Sequence, residues 1–383
     1  MSSGVFGKVS QRSAAAPARV YSLHVGDTYL EPLDVVRTDA PSGASASSAA
    51  RDFKPDLFKY APTTGEPELI RAVVDKVRRR SHVTLDPACV QIMAGATAAM
   101  GIVCGALLDA GDEVLVPAPF WPLIRGAVRA RGATAIELPF FTRLGEPGFE
   151  PIAELERAIT PRTVAIYVNT PHNPTGRILS DQVLAGIAEL ARKHSLWVIA
   201  DEAYEDVWFG SEAPRSFFAQ SGVAPFTITT HSVSKAYALA GARIGYTHAA
   251  PEVMDIIRGV QTFYSYCATR PMQFSAARAL DAGDAWLVNM RATYAQAARA
   301  AASALEVPTP EGGTFLFFDV TRFMGRSETL TDVLERCLDA GVMLTPGTSC
   351  GNDFGGWARL CFTTLPPNEL QEALERLRGA LFR

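Results

Sequence analysis

The amino-acid sequence predicts an α/β protein in which a mostly parallel central sheet is flanked by helices and accompanied by a smaller α+β domain. Apolar runs of strand length at 164–168, 196–200 and 227–230 lack polar alternation, as strands buried on both faces do. Longer stretches with helical spacing, such as 180–194, fall between them, and this alternation builds sheets covered by helices on both sides. Size completes the case: 383 residues exceed one domain at roughly 150 residues each. A chain this long buries roughly 75% of its unfolded surface and needs no disulfide or structural metal to fold.

The elements follow in order. Behind Pro67, Leu69, Ile70, Val73, Val74 and Val77 recur at helical spacing, predicting a helix over 66–80. A helix at 96–108 is followed by a strand at 113–116, a helix over 121–131 and a strand at 134–138. After about residue 260 the pattern turns helical, with a strand at 313–320, a helix at 331–340 and an amphipathic terminal helix at 368–381. The expected division is a large domain over 46–275 and a small domain over 276–383, the latter joined by residues 1–45. The Ser-, Ala- and Gly-rich stretch at 40–50 reads as a flexible connection or lid.

Composition narrows the partners. With 36 basic and 40 acidic residues, net −4, the chain has no basic field for nucleic acid or an anionic membrane, so a small-molecule partner is expected. Six cysteines form no C-x-x-C pair, which points to reduced thiols, no metal site and a cytoplasmic protein. The start carries no continuous apolar signal segment. Free of acids before Asp27, it slightly resembles an organellar transit peptide but reads better as a flexible tail. The longest apolar stretch, 94–108, falls short of the ~20 residues that span a bilayer.

Chemistry gathers just beyond the predicted strands. Lys235, in Ser232-Val233-Ser234-Lys235, stands among small residues, and a partly desolvated lysine can lose its proton and form a Schiff base with an aldehyde. Asp201 closes the 196–200 run, at the carboxyl end of a strand where α/β sheets bind ligands, although an acid there also suits a helix cap. Asn173 sits in Asn173-Pro174-Thr175-Gly176, where proline and glycine fix a loop that can aim its amide, as can an ordinary turn.

Taken together and in this order, these segments resemble the class I/II aminotransferases, the fold-type-I enzymes that use pyridoxal 5′-phosphate (PLP). The resemblance runs from Gly26 to Arg359 and rests on N-P-T-G at 173–176, D-E-A-Y at 201–204, S-V-S-K at 232–235, the spacing to Arg243, and W-A-R-L-C-F at 357–362. It implies that Lys235 holds PLP as an aldimine and later moves the substrate proton. It also implies that Asp201 pairs with the pyridine nitrogen, and that Asn173 and Tyr204 hydrogen-bond the ring oxygen. Trp121 matches the aromatic that stacks on the ring. Gly95, Ala96 and Thr97 open a helix whose amides, with Ser232 and Arg243, would cup the phosphate. Tyr60 would reach the phosphate of a partner subunit, implying a homodimer with shared active sites. Arg359 would grip the substrate α-carboxylate through two hydrogen bonds, with Gly26 and Asn173 beside the substrate.

The chain departs from the family where dicarboxylate-specific members carry a second arginine. Ser265 occupies the nearest position, which argues against aspartate specificity. Arg270, beside Pro271, is open to three readings: phosphate contact, recognition of an acidic substrate group, or an interface ion pair. Tyr264 and Tyr266 suit a pocket for an uncharged side chain or a dimer interface equally. The activity implied is amino-group transfer between an amino acid and a 2-keto acid. The same apparatus also serves PLP-dependent lyases and cyclases that eliminate, replace or close rings. The short segment before Gly26 leaves no room for the DNA-binding module of a regulator, and no G-x-G-x-x-G follows an early strand as a dehydrogenase would require.

Overall fold

The structure is a computed structural model that describes residues 19–36 and 57–382. The 40–50 stretch and the first eighteen residues, read above as a connection and a tail, lie outside the described residues.

Seven strands form the main sheet in the order Val90–Met93, Gly245–His248, Thr227–Ser232, Trp197–Asp201, Thr163–Asn169, Glu113–Ala118 and Thr134–Pro139. Gly245–His248 runs antiparallel to both its neighbours, whereas the other pairs are parallel. The two strands that apolar runs did not reveal, Val90–Met93 and Gly245–His248, are fully buried yet carry Gln91, Thr247 and His248. Their polar groups break the signal.

Alternation along the strands sorts side chains between two cores. Val114, Val116, Ala165, Tyr167 and Ile199 join the cluster that includes Met100 and Val103 of the helix Ala96–Leu107. Leu115, Ile166, Val168, Val198 and Ala200 face the opposite way, into the cluster with Leu184 and Ile187 of Asp181–His194. That second helix starts where the Ser180 side chain accepts from the Val183 amide at 3.3 Å, satisfying one of its free donors. Pro67–Ser81 and Pro122–Arg129 instead start with proline at the first turn, where no amide is needed.

The smaller unit centres on an antiparallel sheet ordered Thr345–Pro346, Trp357–Cys361, Phe315–Asp319. The helices Leu330–Asp339 and Pro367–Leu381 contribute to its core. Tyr21–Ser22 pairs in parallel with Val342–Met343, so the start of the described chain is stitched to its end. Asp284–Leu305 bridges the two units: Leu287, Met290 and Tyr294 pack with the large sheet's helices, whereas Ala298, Ala301 and Leu305 pack in the small core. Among the described residues no helix is long and apolar enough to cross a membrane.

Candidate active site

A cavity of ≈ 180 Å³ opens at the carboxyl ends of the parallel strands, between the two sheets, and eleven of the residues singled out from the sequence line it. Asp201 ends its strand, Asn173 follows Thr163–Asn169, and Ser232 and Lys235 follow from Thr227–Ser232. Lys235 is held by a hydrogen bond from Nζ to the carbonyl of Gly26, which the amino-terminal segment brings into the site. Burial pulls the Lys235 amine below the ordinary lysine range, and the charges of Arg243 and Arg359 act in the same direction against those of Cys361 and Asp27. An amine so placed is readily neutral and nucleophilic.

Asp201 is 5% exposed. Burial raises its pKa, while a hydrogen bond from Tyr167, the Ala203 amide and the nearby His231 lower it. The Tyr167 hydroxyl donates to Asp201 Oδ2 at 2.6 Å and the Ala203 amide to Oδ1 at 3.2 Å. Asn169 ties the loop down: its Nδ2 donates to the Asp201 carbonyl at 2.8 Å and its Oδ1 accepts from the Asn173 amide at 2.8 Å. The Asn173 side chain therefore leaves a fixed loop, with Nδ2 3.5 Å from the Tyr204 hydroxyl. Burial pushes the Tyr204 phenol up, keeping its proton in place.

At the other end of the cavity, Ala96 and Thr97 form the first turn of Ala96–Leu107, with Gly95 as the capping residue at φ +83°. Gly95 does not itself line the cavity. A Cβ there would stand 2.4 Å from Arg243 Nη2, so only glycine lets the guanidinium close over the helix start. Arg243 is oriented by a 2.8 Å bond from Nη1 to the Ala240 carbonyl. Amides at a helix start beside a guanidinium form an anion site. Trp121 caps Pro122–Arg129 and is half-buried at the cavity wall.

Arg359 comes from the small sheet and is 7% exposed. Its Nη1 donates to Asn173 Oδ1 at 3.0 Å, and its Nη2 to the His24 carbonyl at 3.1 Å and to Thr345 Oγ1 at 3.3 Å. Its Nε has no partner among the described residues. The guanidinium lies 4.1 Å from the centre of the Phe315 ring, a cation–π contact. A Cβ at Gly26 would come 2.4 Å from the same ring, so the glycine and Phe315 pack as a pair.

Tyr60 stands apart from the cavity. It is 81% exposed and packs edge-on against Tyr266 at 5.1 Å. Tyr264 is also exposed and lines nothing in this chain's cavity. Arg270 makes an ion pair within the chain, Nε to Glu66 Oε1 at 2.6 Å, and does not line the cavity. The sequence reading missed Tyr167, Asn169, Phe315 and Thr345. A phenol inside the otherwise apolar run at 164–168 was the available signal for the first, since a buried hydroxyl needs a partner. A larger groove of ≈ 430 Å³ between Asp284–Leu305 and Pro367–Leu381 has mainly small and apolar walls and no such constellation.

A model of the family "Aminotransferase class I and II" matches residues 19–377. The aspartate/prephenate aminotransferase of Thermus thermophilus is 35% identical over 352 residues, covering 88% of this chain and 86% of that protein. An aromatic-amino-acid aminotransferase of Thermococcus litoralis is 28% identical, over 85% of this chain and 84% of that one. In three dimensions, the N-succinyldiaminopimelate aminotransferase of Mycobacterium tuberculosis superimposes with a TM-score of 0.87 at 28% identity, covering 99% of this chain and 97% of that one.

Proposed function

The chain belongs to the class I and II aminotransferase family and is a PLP-dependent aminotransferase, and we propose that it works in the cavity around Lys235. The observation that carries this reading is the convergence of a half-buried lysine, a buried acid and a buried arginine from three distant segments on one cavity.

The residues fit the cofactor. Ala96, Thr97, Ser232 and Arg243 offer a phosphate both amides and a cation, and the glycine at 95 makes room for the guanidinium. Asp201 would hold the ring nitrogen, Asn173 and Tyr204 the ring oxygen, and Trp121 a ring face. When bound, PLP supplies an electron-withdrawing ring that takes up the electrons of a broken Cα–H bond. Lys235 would hold the cofactor through Nζ, and its amine, pulled toward the neutral form by burial, would accept and return a proton at the substrate. Asp201 would supply the carboxylate that pairs with the ring nitrogen. Arg359 orients the substrate through its α-carboxylate, and Gly26 leaves space beside it.

Phe315 and Trp121 contribute aromatic walls to the cavity, and among the described residues no cation besides Lys235, Arg243 and Arg359 lines it. These walls support an amino acid with an uncharged side chain. The aspartate/prephenate activity of the Thermus thermophilus relative favours a second reading, an acidic substrate. We also take the cavity to lie between a large domain (46–275) and a small one (276–383, joined by 1–45). A homodimer is part of the proposal, with Tyr60 completing the phosphate site of the partner. The exposure of Phe58, Tyr60 and Phe263 supports it, since aromatic side chains are enriched where chains meet. All six cysteines are free, in keeping with work in the cytoplasm.

A panel of amino acids given to PLP-loaded enzyme without keto acid tests the reading. Conversion to pyridoxamine phosphate by apolar or aromatic amino acids, and not by aspartate, is expected. Turnover with PLP retained and a leaving group released would replace it with the lyase or cyclase alternative.

A further inference from the structure

Asp201 is held from behind by a residue that never lines the cavity. Tyr167 lies two residues before Asn169 on the neighbouring strand, 1% exposed, and its ring belongs to the core beneath Ala96–Leu107. The strand register pairs Asn169 with Asp201 and Tyr167 with Ile199, so all four side chains stand on one face of the sheet. From there the Tyr167 hydroxyl meets Asp201 Oδ2 at 2.6 Å. Among the described residues it is the only side chain that hydrogen-bonds this carboxylate, the Ala203 amide supplying the other contact.

We propose that Tyr167 is a positioning residue for the reaction: its hydroxyl fixes the Asp201 carboxylate, in orientation and in its ionised form, so that the remaining lone pairs meet the ring nitrogen of PLP. The inference rests on the PLP-dependent reading of the cavity. Two donors, one on each oxygen, define the plane of the carboxylate before any cofactor arrives, and a preset acceptor loses no freedom on binding. Direction matters as well. Burial and the adjacent Asp201 charge push the phenol well above its ordinary range, so Tyr167 keeps its proton and always donates. A buried carboxylate receiving a hydrogen bond stays charged more easily than one without. Packing alone does not call for a tyrosine here, because phenylalanine would fill the same space without a hydroxyl to satisfy.

The test compares wild type with Tyr167→Phe as purified dimer or monomer, loaded with PLP and stripped of it. The stripped variant should fold with the wild-type circular dichroism spectrum, its melting temperature lowered by no more than the loss of one buried hydrogen bond to a carboxylate. The PLP dissociation constant should rise and kcat fall by roughly ten- to a hundredfold each, the size of one hydrogen bond to a charged group. KM for the amino acid should hold, and the visible absorbance of bound PLP should change its pH dependence. In an Asp201→Asn background the further loss of the Tyr167 hydroxyl should leave PLP affinity within about twofold, because the charged acceptor is gone. A Tyr167→Phe enzyme with wild-type PLP affinity, spectrum and kcat would overturn the inference while leaving the PLP reading intact. Equal losses in both backgrounds would overturn it too, reducing Tyr167 to packing. A wild-type protein that takes up no PLP would overturn both.

Discussion

Arg359 Nη1 donates to Asn173 Oδ1 at 3.0 Å, joining a strand of the small sheet to the loop that leaves the large one. The contact occupies the amide oxygen, so the amide nitrogen turns toward Tyr204 and the cavity. The residue read as a carboxylate grip and the residue read as a cofactor contact therefore hold each other. Asn173→Ala should weaken both functions at once, raising KM for the amino acid and the PLP dissociation constant by roughly ten- to a hundredfold each. Kinetics together with PLP titration check this; a change in only one of the two constants would contradict the coupling.

Arg359→Ala should fall mainly on the substrate. KM for amino acids should rise by roughly a hundredfold or more while PLP affinity drops by less than roughly tenfold, because a bidentate carboxylate contact is lost whereas the cofactor loses only the Arg359 brace on the Asn173 amide. Arg359→Lys should recover little, since an ammonium cannot reproduce the planar fork. Unchanged KM in the alanine variant would remove Arg359 from the substrate site.

Much of this site was legible because its residues follow buried strands that betray themselves as apolar runs. Asp201, Asn173 and Lys235 each stand at or beyond such an end. Phe315 and Thr345 were not legible, because what brings them to the cavity is the closure of the small sheet against the large one, a long-range contact without a local pattern. Asn169 and Tyr167 depended on strand register, which apolar runs do not encode. The antiparallel strand Gly245–His248 escaped notice because its polar residues find partners inside: Thr247 with Thr230 at 3.1 Å, His248 with His231 at 3.1 Å.

The lowered pKa of Lys235 has a sign that can be measured. Only the neutral amine captures PLP, so the capture rate of the stripped protein should rise with pH. Because burial favours the neutral form, the midpoint should fall below the ordinary lysine range. Rapid-mixing absorbance at a series of pH values gives the midpoint, and one at or above that range would contradict the burial argument. Lys235→Ala should retain no PLP after borohydride reduction and denaturation.

Gly95→Ala should separate phosphate binding from folding. The new methyl would need the space of Arg243 Nη2, 2.4 Å away, on backbone at φ +83°. Strain of about 1 kcal/mol or more is expected from the backbone alone. PLP affinity should drop by roughly tenfold or more while the circular dichroism spectrum is kept. Wild-type affinity for PLP would show that Arg243 does not need to close over the helix start.

Behind the sheet, Glu205 Oε1 accepts from Lys76 at 2.6 Å and from His231 at 2.8 Å, and Lys76 also meets Asp206 at 2.7 Å. Burial alone would raise the Glu205 pKa, but the charges of His231 and Lys76 carry it well below the ordinary range. A depressed carboxylate stabilises the fold above the unfolded value of about 4.3, and that stability is lost as pH falls through the folded value. Glu205→Gln should cost about 3–5 kcal/mol at neutral pH, because it strips a buried lysine of one partner. Denaturant melts of the stripped protein should also show a flatter loss toward acid than in wild type; an equally steep loss would place the acid sensitivity elsewhere.

The pairing of Tyr21–Ser22 with Val342–Met343 sets an order of events during synthesis. The carbonyl of His24 and the guanidinium of Arg359 meet although 335 residues separate them. On the ribosome the large sheet has all its strands once residue 248 has emerged, while the amino-terminal segment still waits for a neighbour more than ninety residues away. Its backbone finds that neighbour only after residue 343 leaves the exit tunnel, and Lys235 meets Gly26 in a finished cavity only then. The cavity is therefore finished late, and a nascent chain stalled before Arg359 emerges carries the lysine without the arginine proposed to grip the substrate.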